Sequence, residues 1–578
     1  MDPKPNRHRK PAFVCLMAIA TLLVLEGGAR IIEYVHTASV GDDLKPYAEI
    51  VNPVPVFEKS GVAGEEVHIR TRHHKWVMAE LQFPAKKMSN AFRVFCLGGS
   101  AALGWPNKHD FSYPEFLSRK LEKLLPGRRI EVLNVAAKTY GSHRVKFVFD
   151  EVINYAPDLI LVYCGNNEFF EQFVYVARTV PRPWRYLALA RIPYSAMKTD
   201  SQNRPVVDIE NYGDADRVVN MLSFAFGNAS RLRENPRQLE VVLDVYRNNI
   251  ESMIRECGRR NISILLLDVP VNLKDWVPNV SVHEDGVDLA AWRQAFREGI
   301  HAYERAAFTD AVTHLEHAVH IDDAHAETRY FLGRSRHSAG DAMRAKGDYV
   351  EALEEDAYPF RALPRQQAIL ADLAAIYDVP LVEITKALEL VAEDEIIGLD
   401  VLMDYVHPTP ESNEIVAHIV AEAIIEHGIL PESLREHLDE VRIEVPEDAT
   451  GELEIWRALY SQNLVMRQYE KLDALAERIE QIAAEIISTK PEQAQVIDRF
   501  LAKLRTTQDV AKKYRKLLQA EKFGTREQEF THAEATKIFN DYVELIRRHE
   551  GGDVTPEEFE EFLPEAPYRN DGSNRAGG

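Results

Sequence analysis

The sequence predicts a doubly wound α/β fold with a parallel central sheet. Three observations lead there: short runs that are apolar nearly throughout, helical patterns between them, and Gly-rich polar clusters at the ends of several runs. Strands buried on both faces of a parallel sheet read as unbroken Val, Ile and Leu runs. Alternation of such strands with helices implies crossover connections. Ligands in these sheets bind beyond the carboxyl ends of the strands.

The strand-like runs lie at 93–99, 130–136, 158–165, 262–270 and 380–384. Helical patterns occupy 112–125, 143–155, 237–258 and 365–377. The α/β unit so defined spans 91–432. Two insertions interrupt it, at about 169–235 and 285–355. In the second, Gly299 and Gly333, Ala311 and Ala345, and Ala318 and Ala352 each stand 34 residues apart. That is the tetratricopeptide period, with small residues where paired helices approach closely. A pair of such repeats over 290–355 is too few to stand alone and must lean on its neighbours. Residues 31–90 are mixed and Pro-containing and read as a stalk and lead-in. Residues 433–550 carry long, charged helical patterns, and 551–578 are acidic, then Gly- and Asn-rich, the composition of a disordered tail.

The chain has 578 residues, which implies roughly two to four structural units. Its net charge of −22 argues against a nucleic-acid partner, which calls for a basic face. The four cysteines show no zinc spacing and no disulfide framework. At the N-terminus, Lys4, Arg7, Arg9 and Lys10 precede an apolar run over 11–25. It is short for a spanning helix and also fits a signal-peptide core, with Gly27-Gly28-Ala29 as a cleavage candidate. An uncleaved anchor within 1–30 is the favoured reading. Either reading exports the remainder, because the basic flank stays in the cytoplasm.

Four clusters carry chemistry. In "FCLGGSAALGWP" a strand ends in Gly98-Gly99 and Ser100 follows. Two glycines allow a sharp turn and a close approach by substrate. Ser100 then stands near a helix start, where backbone N–H groups face an incoming oxyanion; a phosphate-binding or purely structural turn is the alternative. "NVAAKTYGSHR" follows the second strand and taken alone reads as an ordinary strand-to-helix loop, though a backbone N–H in it could complete an oxyanion hole. "VYCGNNEFFE" follows the third and places Asn167 at a strand end, where a carboxamide donates without bringing charge; a polar turn with a helix cap is the alternative. In "MDYVHPTPESN", Asp404 and His407 precede a helix. A carboxylate so placed fixes one imidazole nitrogen and leaves the other to accept a proton from Ser100. The same pair is a possible metal half-site, but no second pair accompanies it.

Taken together, Gly98-Gly99-Ser100, Gly165-Asn166-Asn167 and Asp404-x-x-His407 resemble the SGNH/GDSL hydrolase family over about residues 90–430. The resemblance implies a flavodoxin-like three-layer α/β/α fold and hydrolysis or transfer of ester-linked acyl groups. It maps the nucleophile to Ser100, the oxyanion-hole asparagine to Asn167, and the Asp-x-x-His block to Asp404 and His407. Gly99 stands where the family's Gly-Asp-Ser has its acid, and Glu168 replaces an Asp. The glycine of the second block falls at Gly141 rather than at Thr139, so the amide of either is the second oxyanion donor, beside that of Ser100. The implied mechanism needs neither metal nor organic cofactor.

Other stretches compete for notice. Phe169, Phe170, Phe173 and Tyr175 line an acyl pocket or pack an insertion on the core. Arg182, Arg185 and Arg191 meet anionic lipid or form surface ion pairs. His73-His74 and the histidines from 301 to 325 look like a metal tract, but those in the repeat fall on mixed helical faces and read as surface residues. Two functions follow. One is an exported, membrane-tethered esterase or acyltransferase acting on an acylated glycan or lipid. The other is a catalytically silent scaffold that binds partner proteins through the repeats and C-terminal helices. The intact catalytic set favours the first.

Overall fold

A computed structural model describes residues 55–445 apart from 61–67, 72–77, 108 and 170–235, together with 472–489 and scattered positions between 456 and 501. Three short strands come first: β1 (Phe57–Ser60), β2 (His68–Thr71) and β3 (Gln82–Pro84), antiparallel and paired in that order. The segment read as a stalk and lead-in is therefore, where described, a small sheet laid on the main domain. Phe57 and Phe83 meet Tyr155 edge-on, and Phe83 also meets Phe95. Glu151 accepts the backbone N–H groups of Val56 and Phe57.

The α/β unit follows: β4 (Ala91–Gly98), α1 (Ser100–Leu103), α2 (Tyr113–Leu124), β5 (Arg129–Asn134), α3 (Ser142–Val152), β6 (Leu159–Tyr163), α4 (Pro236–Arg260) and β7 (Ser263–Leu267). Four helices come next: α5 (Leu289–Glu304), α6 (Phe308–Ile321), α7 (Ala326–Ser338) and α8 (Ala342–Glu354). The chain then forms α9 (Pro364–Tyr377), β8 (Leu381–Val382), α10 (Ile384–Glu389), α11 (Pro410–Glu426), α12 (Arg435–Leu438) and α13 (Leu472–Thr489). The main sheet has the order β5-β4-β6-β7-β8, and every pair is parallel. The α/β class expected from the sequence is the class adopted.

Burial explains why the strands read as unbroken apolar runs. All of β4 and β6 is buried, and successive side chains leave on opposite faces. Phe92, Val94 and Cys96 pack with Phe116, Leu117 and Leu121 of α2 and Val416 and Val420 of α11. Phe95 and Leu97 pack with Val148 and Phe149 of α3, Ile250 of α4 and Leu370 of α9. Arg93 is the charged exception in β4. Its guanidinium donates to Glu131 at 2.7 Å, to Tyr155 O and to Pro84 O, so a fully buried charge is paired and hydrogen-bonded as it must be. Of the run 380–384, only Leu381 and Val382 pair with β7, because the chain turns into α10 at Ile384.

Helices α5–α8 stand between β7 and β8 in the chain. A Cβ on Gly299 would lie 2.6 Å from Leu315 Cγ, and one on Gly333 would lie 3.0 Å from Tyr349 Cδ1. The same close approach thus recurs in the hairpins α5–α6 and α7–α8, 34 positions apart. His325, read from the sequence as a surface residue, is buried. Its ring caps α7 by accepting from Thr328 N and stacks on His283.

The α/β unit also runs past residue 432. Buried Lys120 of α2 bonds Glu414 and the Val441 carbonyl, and Ile443 joins the core. The expected anchor within 1–30, the tail 551–578 and most of 446–550 lie outside the described residues. Among the described residues, no helix is long and apolar enough to cross a membrane.

Candidate active site

β4 ends at Gly98, whose neighbour on β6 is Tyr163. A Cβ there would sit 2.2 Å from the Tyr163 carbonyl oxygen and 2.6 Å from the Ala102 Cβ. Only glycine lets the strand end and α1 begin without parting β4 from β6. Gly98→Ala is therefore expected to destabilise the chain by about 3 kcal/mol, the upper range for overpacking. Thermal or denaturant unfolding of the purified variant measures this; a midpoint within error of wild type would contradict it. Gly99 is the N-cap of α1, which starts at Ser100. Beside it lie the carboxamide nitrogen of Asn167 and the carbonyl of Tyr140, 2.7 and 3.2 Å from where a Cβ would be. The Gly-rich cluster after β4, the loop after β5 and the block after β6 thus converge on one point.

The loop over 401–409 folds back on itself. Met403 N donates to His407 O at 2.7 Å, and Thr409 N to Val401 O at 3.1 Å. Thr409 then caps α11 through Ser412 N, with Pro410 in its first turn. Inside this loop Asp404 is fully buried and His407 is 1% exposed. Asp404 Oδ1 accepts the N–H groups of Val406 and His407, both at 2.9 Å. Asp404 Oδ2 lies 2.6 Å from His407 Nδ1, and His407 Nε2 lies 2.7 Å from Ser100 Oγ. Burial alone would push the Asp404 carboxyl up. Electrostatic attraction to His407, its hydrogen bond and the two backbone N–H groups outweigh burial and hold it below the usual carboxylate range. A carboxylate on Nδ1 keeps the proton there and leaves Nε2 as an acceptor, so the Ser100 hydroxyl donates to it. Trp105 and Tyr405 flank the imidazole edge-on, at 4.7 and 5.7 Å between ring centres.

Asn167 is half-buried, whereas Asn166 and Glu168 on either side are buried. Its Nδ2 donates to Tyr140 O at 3.1 Å. A carbonyl only accepts, so this bond fixes which end of the carboxamide is nitrogen. If Asn167 Nδ2 serves as an oxyanion donor, Asn167→Ala should lower kcat about 10²- to 10³-fold, the usual cost of losing one such donor. KM should change little, because such a donor works mainly in the transition state. Steady-state kinetics decide; a rise in KM at constant kcat would assign Asn167 to ground-state binding instead.

Thr139 and Gly141 flank Tyr140 on the same turn. Thr139 is left-handed, at φ 63°, with its carbonyl tied to Arg144. Gly141 is extended and caps α3. Glu168 reaches the start of that helix. Its carboxylate accepts from Ser142 N at 2.7 Å and from Ser142 Oγ at 2.6 Å. A buried carboxylate at a helix N-terminus is favoured by the exposed N–H groups there, and the longer Glu side chain makes the reach. Of the two readings of the aromatic run, core packing is the one Phe169 adopts, fully buried; Phe170, Phe173 and Tyr175 lie outside the described residues. Asn272 carries no motif in the sequence. It is fully buried and donates from its side chain to Asp404 O and from its backbone to Tyr405 O, both at 2.9 Å. An asparagine just past β7, on a carboxyl edge already suspected, was the available signal.

Solved structures with some likeness include a protein assigned to the G-D-S-L lipolytic family from Desulfitobacterium hafniense DCB-2. It is 11% identical, with a TM-score of 0.26 over 58% of this chain and 99% of that one. A GDSL-like lipase from Bacteroides thetaiotaomicron VPI-5482 is 14% identical, with a TM-score of 0.24 over 58% and 88%. The lipase/acylhydrolase from Enterococcus faecalis is 12% identical, with a TM-score of 0.24 over 58% and 96%. Likeness of this size says nothing about substrate or site residues. No protein-family model and no curated protein matches the chain.

Proposed function

We propose that the chain is a serine esterase or acyltransferase of the SGNH/GDSL type, acting on ester-linked acyl groups of a glycan or lipid. One observation carries the reading: the hydrogen-bonded chain Ser100 Oγ, His407 Nε2, His407 Nδ1 and Asp404 Oδ2 at the carboxyl edge of the parallel sheet. Such a chain activates a hydroxyl for attack on a carbonyl. His407 takes the Ser100 proton as Oγ bonds the acyl carbon, and returns it to the leaving alcohol. The oxyanion is met by Asn167 Nδ2, the Ser100 N–H at the start of α1, and an amide of Thr139 or Gly141. Water or an acceptor hydroxyl then attacks the acyl-enzyme with His407 as base, and Ser100 is released.

The purified soluble part should hydrolyse chromogenic esters, and an acyl-chain series from acetyl to long-chain should separate a glycan deacylase from a lipase. Activity that survives Ser100→Ala would overturn the assignment. Absence of any Ser100-dependent activity would favour the silent scaffold. We further propose that α5–α8 are a tetratricopeptide-like pair inserted in the catalytic unit, supported by the recurring Gly299 and Gly333 approaches. The basic flank and apolar run over 1–30 support tethering by a single N-terminal helix, with the catalytic unit outside the cytoplasm. Protease added to cells with only the outer barrier opened should digest that unit; protection until the inner membrane is lysed would refute the topology.

A further inference from the structure

We infer that the strap over 356–363, which returns the chain from the inserted helices to the sheet, positions both halves of the active site, and that Asn272 is the positioning residue through which it reaches Asp404. The inference rests on the catalytic reading of Ser100, His407 and Asp404.

The strap begins at the end of α8. Asp356 there is buried, and its carboxylate accepts from Asn279 N, Val280 N and Tyr358 N at 2.8–3.1 Å. Those bonds pin the strap to the segment after β7. Five residues on, Arg361 is likewise buried. It donates to Asn272 O at 2.7 Å and Trp276 O at 3.1 Å, with Asp356 as its counter-charge at 3.7 Å. A buried guanidinium holds such a site only while its partners stay in place. The contact therefore fixes the backbone of Asn272.

Each polar atom of Asn272 has a partner. Its carbonyl accepts from Arg361, its N–H donates to Tyr405 O, its Nδ2 donates to Asp404 O, and its Oδ1 accepts from Asp275 N. Two of these four bonds end on the backbone of the catalytic loop, at Asp404 and at the residue after it. On its other side the strap meets the oxyanion block. Ala362 N donates to Asn166 Oδ1 at 2.9 Å, next to Asn167, and Gln366 Nε2 at the start of α9 donates to Gly165 O at 2.7 Å. Phe360 also touches the Tyr405 ring. The inserted helices thus feed directly into the segment that holds the carboxylate loop and the asparagine block.

Misplacing a catalytic group by about 1 Å costs on the order of 100-fold in rate. Asn272→Ala should lower kcat for ester hydrolysis by about 10- to 100-fold, with KM within about threefold. Asn272→Asp keeps the size and the acceptor for Asp275 N, and as a carboxylate at alkaline pH it cannot donate to Asp404 O, so there it should lose as much. The deciding comparison repeats Asn272→Ala in an Asp404→Ala background, with the rate of Ser100 labelling by a fluorophosphonate as a second readout. A residue that acts through Asp404 has nothing left to do there, and the further loss should be within about twofold. A merely structural role would repeat its full loss in both backgrounds and overturn the inference, as would wild-type kcat in Asn272→Asp at alkaline pH. Should Asn272→Ala not fold, Asn272→Asp in the same two backgrounds decides alone. A wild-type protein with no Ser100-dependent activity would fail the catalytic reading instead, and is told apart by that.

Discussion

Ser100→Ala and His407→Ala should each lower kcat for ester hydrolysis by on the order of 10⁶-fold, and the double variant should be little worse than either. Ser100 Oγ and His407 Nε2 are 2.7 Å apart, within reach for direct proton transfer. The serine is a poor nucleophile without the base, and the base has nothing to deprotonate without the serine. Removing either removes the whole step, so the losses cannot multiply. Residual rate comes from the oxyanion donors and substrate binding. Single-turnover kinetics on the three variants measure this; losses that simply multiply would mean that the two side chains act in separate steps.

Asp404→Asn should lower kcat by about 10⁴-fold with KM nearly unchanged. The geometry dictates why. Asp404 Oδ1 is held by the N–H groups of Val406 and His407, and Oδ2 faces His407 Nδ1. An asparagine must turn its oxygen to the two amides, which only donate, and so points its NH₂ at Nδ1. Nδ1 then becomes an acceptor, the proton moves to Nε2, and the imidazole no longer takes the Ser100 proton. The ionised carboxylate also stabilises the fold. Its pKa is depressed on folding, so this stability is present above the ordinary carboxylate range and lost as pH falls through the lower, folded-state value. The variant should lack that part of the acid transition. Equal kcat for Asp404→Asn and wild type would remove Asp404 from the mechanism.

The α/β class was legible because strands buried on both faces must be apolar throughout, as β4 and β6 are. The first small sheet was not. β1, β2 and β3 read FEKS, HIRT and QFP and bury only one or two residues each, so no run stands out and only the pairing makes them strands. Ser100, Asp404 and His407 were legible as local motifs, since Gly98-Gly99 and the Asp-x-x-His spacing are short-range. Glu168 was visible as a departure, but its bonds to Ser142 cross 26 positions of sequence. Asn272 and Arg361 act over longer separations still, 132 positions to Asp404 and 89 between themselves. No local pattern encodes such contacts. The burial of His325 is not legible in the sequence, because helical position alone does not reveal the His283 ring that covers it.

The catalytic assignment is tested most directly by intact-mass and peptide mapping after treatment of the purified protein with a fluorophosphonate. A reagent that phosphonylates only an activated serine should add one equivalent, on the peptide containing Ser100. The adduct should be absent in Ser100→Ala and form far more slowly in His407→Ala. No adduct on the folded wild-type protein, or one on another residue that persists in Ser100→Ala, would contradict the account.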